Sequence, residues 1–171
     1  MIRIMIDIET LSTHDDAAVI AIGLAAFNDH QILGGKEILV DPRFSPGHRD
    51  PETIAWWEDQ DPKILTVMMS GLTRPEEACG EVDLFLNGYI YDELWANPPQ
   101  FDVVILKNLF KSCGKKWKGE HWQERDFRTM KNLAKQLELE PFKEKNLYKH
   151  SALRDAVHQA KQLMHILAQL R

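Results

Sequence analysis

The chain opens on alternation. In MIRIMIDIET, Ile2, Ile4, Ile6 and Ile8 take every second position, while Asp7 and Glu9 share the other register near its end. Side chains of a strand alternate between its faces, so this period of two predicts a first strand with two acids on one side. The apolar run AAVIAIGLAAFND ends on the turn pair Asn28-Asp29. QILGGKEILV then predicts another strand, with a bulge at Gly34-Gly35. The three segments read as a meander at one side of a sheet. The stretch from Asp41 to Pro51, rich in Pro, Gly, Asp and Arg, predicts a loop.

Helical patterns follow. PETIAWWEDQD predicts a short helix with Pro51 near its start. RPEEACGEVDLFLNGYI predicts a longer one, with Pro75 in the first turn and acids beside the positive end of the dipole. DELWAN is a short strand stopped by Pro98-Pro99, and FDVVILKNLFKSCG a helix closed by Gly114. KKWKGEHWQER reads as a loop entering a short strand. Asp126 is placed to cap a helix with the stripe Phe127, Met130, Leu133, Ala134 and Leu137. Ser151 is placed to cap the last helix, with the stripe Leu153, Val157, Ala160, Met164 and Leu167. Strands first, then helices alternating with short strands, predict a single α/β layered domain over residues 1–171 with a mixed sheet.

Composition narrows this little: 171 residues, 44% hydrophobic and 27% charged, suit an ordinary soluble domain. No apolar run approaches the roughly 18 residues of a membrane span. The N-terminus lacks a basic segment followed by a cleavage site, so a cytoplasmic location is expected. Cys79 and Cys113 make no disulfide framework and are expected to be reduced and partly buried. The net charge of −5 argues against holding long nucleic acid by bulk electrostatics. It leaves room for an enzyme that grips a short anionic substrate through metal ions.

Candidate chemistry lies in the acids. Asp7 and Glu9 are two residues apart on a strand, with Cα atoms roughly 6.5 Å apart on one face. Taken singly, each acid has an ordinary reading. Asp7 and Glu9 could decorate an edge strand, and Asp102 could serve the first turn of a helix. Asp155 lies off the predicted apolar stripe and could be a surface acid, with His150 in the loop before it. Taken together they are more specific. Asp7-x-Glu9-Thr10, then Asn97-x3-Phe101-Asp102, then His150-x4-Asp155 form an ordered triplet.

With that triplet the chain resembles the DEDDh 3′–5′ exonucleases, a superfamily that includes polymerase proofreading subunits, oligoribonuclease and ribonuclease T. The resemblance spans residue 5 to about residue 160. A sister branch carries Tyr-x3-Asp in the last motif, but Ser151 stands there and His150 matches the histidine branch. Thr53, Trp56, Trp57 and Gln60, with WANPPQFD and RDFRTM, are similar to a bacterial and phage exoribonuclease-like subgroup.

The resemblance implies a ribonuclease H-like fold, a mixed β-sheet flanked by helices. It also implies two divalent cations, Mg2+ or Mn2+, held by Asp7, Glu9, Asp102 and Asp155. Hard oxygen donors without thiolates suit such ions better than zinc. In this reading Asp7 bridges both cations, and Glu9 and Asp155 complete the site of the attacking water. Asp102 supports the second cation, and His150 takes the proton. The expected partner is the 3′ end of single-stranded RNA or DNA, RNA slightly favoured, with nucleoside 5′-monophosphates released. A homodimer is also in keeping with the relatives.

For the substrate, Thr10 and Leu11 are expected against the terminal nucleotide, with Asn97 and Phe101 in the same pocket. One of Trp56 and Trp57 should stack on a base, and Trp57 is assigned that role. Most of Lys107, Lys111, Lys115, Lys116, Lys118, Lys143, Lys145 and Lys149 read as solvated surface. So do His158 and His165, while His14 and Arg128 are further candidate contacts. Two other readings stay open. An aspartyl-nucleophile phosphatase would want a second aspartate where Glu9 stands. An inactive binding module on the same fold would not need every acid and the histidine. Release of mononucleotides, with and without EDTA, separates them.

Overall fold

A computed structural model describes residues 1–146 and 150–171. Five strands form one sheet in the order β3-β2-β1-β4-β5. They are β1 (Arg3–Thr10), β2 (Val19–Phe27), β3 (Ile32–Leu39), β4 (Glu93–Ala96) and β5 (Glu124–Asp126). The first three run antiparallel, whereas β4 and β5 run parallel to β1 and to each other. The mixed sheet is flanked by helices α1 (Pro51–Glu58), α2 (Pro62–Met69), α3 (Pro75–Asn87), α4 (Pro99–Ser112), α5 (Phe127–Gln136) and α6 (Ala152–Gln169). This is the expected ribonuclease H-like α/β architecture.

The alternation of β1 divides the core. Ile4, Ile6 and Ile8 face α3 and α4, joining Val82, Val103, Leu106 and Phe110. Met5 faces the opposite side, under α5 and α6, with Phe27, Trp95, Phe127 and Leu163. Asp7 and Glu9 continue the Met5 side. The strand is therefore central and covered on both faces, not a polar-faced edge. A third cluster, with Leu11, Ile20, Trp57, Met68 and Ala152, joins α1 and α2 to the end of the sheet.

Several expectations need correction. The register slip between β2 and β3 falls at Leu33, just before the glycine pair: Ala26 pairs with Gly34 and Phe27 with Ile32. Helix α2 was absent from the sequence reading. Its start repeats that of α1, since Asp50-Pro51 and Asp61-Pro62 each place a capping carboxylate before a first-turn proline. Pro99 begins α4, so Asp102 is its fourth residue. In α5, Leu133 and Leu137 are exposed rather than buried.

The stripe of α6 is rotated by about one residue. Ala152, Ala156, Ala160, Leu163 and Ile166 are buried, while Val157, Met164 and Leu167 only flank the core. Small residues win here because the helix lies close to the sheet. A Cβ at Gly23 would fall 2.0 Å from the carbonyl carbon of Ala152. Ser151 does not cap α6 with its own side chain. Its hydroxyl donates to Glu37 Oε1 at 2.8 Å, and the same oxygen accepts Leu153 N–H at 3.3 Å.

Candidate active site

Asp7 lies opposite Gly23 in the β1–β2 register. The missing side chain at Gly23 lets the first turns of α6 settle over Asp7. Asp155 and Gln159, four apart on that helix, then share the face turned to β1. Carboxylate oxygens of Asp7, Glu9 and Asp155 all lie within 4.8 Å of one another.

Asp102 stands beside this trio, tied to the backbone. Its Oδ1 accepts Ile8 N–H at 3.2 Å and its Oδ2 accepts Asn97 N–H at 3.1 Å. Asp155 is braced from the loop before α6, accepting Asn146 Nδ2–H at 2.5 Å and His150 N–H at 2.8 Å. That second bond accompanies a left-handed backbone at His150, φ 65°. Such a conformation is uncommon for a residue with a side chain and is held by its surroundings. The His150 ring stands edge-on to Trp56 and Trp57, with centroids 5.1 and 5.8 Å away. Its Nδ1 lies 3.9 Å from Glu9 Oε1. The four acids and the histidine of the ordered triplet therefore meet.

Burial and mutual repulsion set the electrostatics. Burial, then the charges of Asp102, Glu9 and Asp155, hold the Asp7 carboxyl well above the carboxylate range. Burial, followed by Asp155, Asp102 and Glu37, pushes Glu9 up to about 8. Burial raises Asp102 to about 7, against the pull of the Asn97 and Ile8 N–H groups. It raises Asp155 as well, against the His150 N–H. Carboxyls raised in this way are short of positive charge. An all-oxygen donor set that converges to within 4.8 Å fits a hard divalent cation.

Beside the acids lies a cleft of about 470 Å3, lined by Glu9, Thr10, Ser12, Thr53, Trp56 and Phe101 among others. Phe101 is among the residues that line it. Trp57 is 2% exposed, and its indole N–H donates to the Thr10 carbonyl at 2.8 Å. It braces the cleft wall, while Trp56, 45% exposed, presents the open ring. Thr10 is buried, with its hydroxyl donating to the Ser12 carbonyl at 2.6 Å. Leu11 is buried in the third cluster with Trp57 and does not line the cleft. The Asn97 carbonyl accepts Arg128 Nη2–H at 3.3 Å, and its buried Oδ1 has no partner among the described residues.

The two histidines of α6 are not solvated as expected. His158 Nε2 bonds the Glu144 carbonyl at 2.9 Å and His165 Nε2 the Glu140 carbonyl at 2.7 Å, with Phe142 between the two rings. They pin the segment leading to Asn146 onto the helix. Lys107 and Lys118 are paired with Glu124 and Asp83, and Lys149 lies outside the described residues. His14 stacks on His48 at 4.0 Å. Sequence reasoning missed Gln159, Asn146 and Glu37. Only Gln159 left a signal, its spacing of four from Asp155.

Comparison with known proteins accords with this geometry. The family model described as 3′–5′ exoribonuclease Rv2179c-like domain matches residues 2–167. No match to a curated protein sequence was found. Among solved structures, the nuclease domain of 3′hExo, a DEDDh family member bound to rAMP, superposes with a TM-score of 0.66 at 12% identity, covering 98% of this chain and 92% of that one. Pop2p of S. pombe, in a Mg2+- and Mn2+-bound form, gives 0.62 at 12% identity, covering 98% and 83%. E. coli exonuclease I with a dA16 oligonucleotide gives 0.71 at 12% identity, covering 99% of this chain but only 42% of that one. The ordered acids, the fold and the match over nearly the whole length lead to one conclusion: the chain belongs to the Rv2179c-like 3′–5′ exoribonuclease domain family and is a 3′–5′ exonuclease, with the fold of the DEDDh enzymes it superposes on.

Proposed function

We propose that this exonuclease is cation-dependent and removes nucleoside 5′-monophosphates from the 3′ end of single-stranded RNA, with His150 as general base. The observation that carries the reading is the convergence of Asp7, Glu9 and Asp155 within 4.8 Å, beside the His150 ring. Asp7, Glu9 and Asp155 would hold the cations directly, and Asp102 would add its charge from a fixed position. Two bound Mg2+ or Mn2+ ions would supply an activated water and charge stabilisation at the departing oxygen. His150, edge-on to two indoles and with Nδ1 3.9 Å from Glu9 Oε1, would accept a proton from that water. Trp56 would offer a base-stacking surface in the cleft that Phe101 also lines.

RNA is favoured because the matching family is described as exoribonuclease and a neighbour of the same fold was solved with rAMP. The hydroxyls of Thr13 and Thr53 on the cleft lining can meet a ribose hydroxyl. The unpaired thiols of Cys79 and Cys113 suit a reducing compartment, and no helix among the described residues is long and apolar enough to cross a membrane.

Matched RNA and DNA single strands with 3′-hydroxyl ends test the reading. The expected result is stepwise release of 5′-monophosphates, faster from RNA. Equal rates on both would remove the RNA preference, and internal cleavage would overturn the exonuclease polarity.

A further inference from the structure

Gln159 is 9% exposed, yet it carries a full primary amide into a cage of carboxylates. Its Nε2–H donates to Asp7 Oδ1 at 2.7 Å. The other arm of the same planar amide, Oε1, is buried with no hydrogen-bond partner among the described residues. An unpaired buried acceptor is costly, so the arrangement calls for a donor. Among the described residues, its neighbours on α6 and in the carboxylate cage do not supply one. Ala156, Ala160 and Leu163 line the same stripe of α6, and Asp7, Glu9 and Asp155, in the ionised form that holds a cation, only accept.

A hydrated cation would bring the missing donor. Small divalent cations such as Mg2+ keep several of their waters when protein-bound, and each water needs an acceptor. We infer that Gln159 is a positioning residue for the cation site, its Nε2–H fixing Asp7 and its Oε1 accepting a hydrogen bond from a water carried by the cation. The inference rests on the cation-dependent reading above. It explains why a neutral amide occupies this place: a cation here would repel the metal, and a further carboxylate would add to the repulsion already present.

The test is calorimetric titration of the full chain with Mg2+, without substrate. Gln159→Met keeps the volume and removes both hydrogen bonds. It should weaken Mg2+ binding about 10–100-fold, the usual effect of losing a partner behind a metal ligand. Its melting temperature in EDTA should stay close to wild type. Activity should recover at high Mg2+, with KM for RNA unchanged. Leu163→Met, one turn further along the same stripe, should leave Mg2+ affinity unchanged. If Gln159→Met does not fold, Gln159→Ala, which retains helix propensity, should show the same loss. Wild-type affinity in a folded Gln159 variant would overturn the inference, as would an equal loss in Leu163→Met. Failure of the wild-type chain itself to bind Mg2+ would overturn the cation site and this inference together.

Discussion

Asp7 sits where an ionised carboxylate is costly, following Met5 on a buried face of the central strand. The sequence made that visible as Asp-x-Glu at the end of a β-branched run. It could not say that the face was covered, because the covering helix comes almost 150 residues later. The convergence of the four acids and His150 was legible through ordered spacing, whereas the lining of the cleft was not. Adjacent tryptophans look alike in a sequence; the Thr10 carbonyl decides that Trp57 turns inward. Trp56→Ala should therefore raise KM for single strands about 5–160-fold, as expected from roughly 1–3 kcal/mol of lost stacking, with little change in melting temperature. Trp57→Ala should instead destabilise the fold by about 3–5 kcal/mol, read by denaturant unfolding. A melting loss in the first variant, or none in the second, would reverse the roles. His150→Gln should lower kcat by about 10²–10⁴-fold while Mg2+ affinity, measured calorimetrically, holds.

At the scale of elements, the site depends on how closely α6 approaches β2. Strand and helix identities followed from period and capping, and Asp126 caps α5 as its position suggested. The orientation of α6 did not follow. Larger residues at 153, 157, 164 and 167 outweighed alanines in the pattern, but alanines permit the closer approach. Helix α2, which the sequence pattern did not single out, fully buries only Met68 and leaves Val67 and Met69 exposed. Gly23→Ala should expose this dependence. The added methyl would meet Ala152 backbone at 2.0 Å and must push the helix away from Asp7. Expected are a lower melting temperature and a loss of Mg2+ affinity together. Wild-type values for both would show that the seat of α6 is not what assembles the cage.

At the scale of the whole molecule, the chain carries a net charge of −5 and concentrates acids in its cleft. Stability should then depend on pH in a defined sense. Glu9 and Asp102 are raised from 4.5 and 3.8 to about 8 and about 7. A carboxyl raised on folding contributes stability in full below its unfolded value, and loses it as pH rises through the folded value. The metal-free protein should therefore melt lower at pH 8 than at pH 5.5, by at least about 4 °C for a chain of this size. The lowered groups, Asp41 and Asp50, act only below the ordinary carboxylate range, outside this window. Cation binding needs ionised carboxylates, so Mg2+ should raise the melting temperature more at pH 8 than at pH 5.5. Thermal scans in EDTA and in Mg2+ at the two pH values check both statements, and a flat pH response would contradict them.

The most direct single measurement follows a 5′-labelled RNA strand through digestion by the wild-type chain and by Asp7→Asn, each in Mg2+ and in EDTA. The expected outcome is a ladder shortening from the 3′ end for wild type in Mg2+ alone. Shortening by Asp7→Asn at the wild-type rate, or by wild type in EDTA, would mean that the carboxylate cage is not the seat of the chemistry.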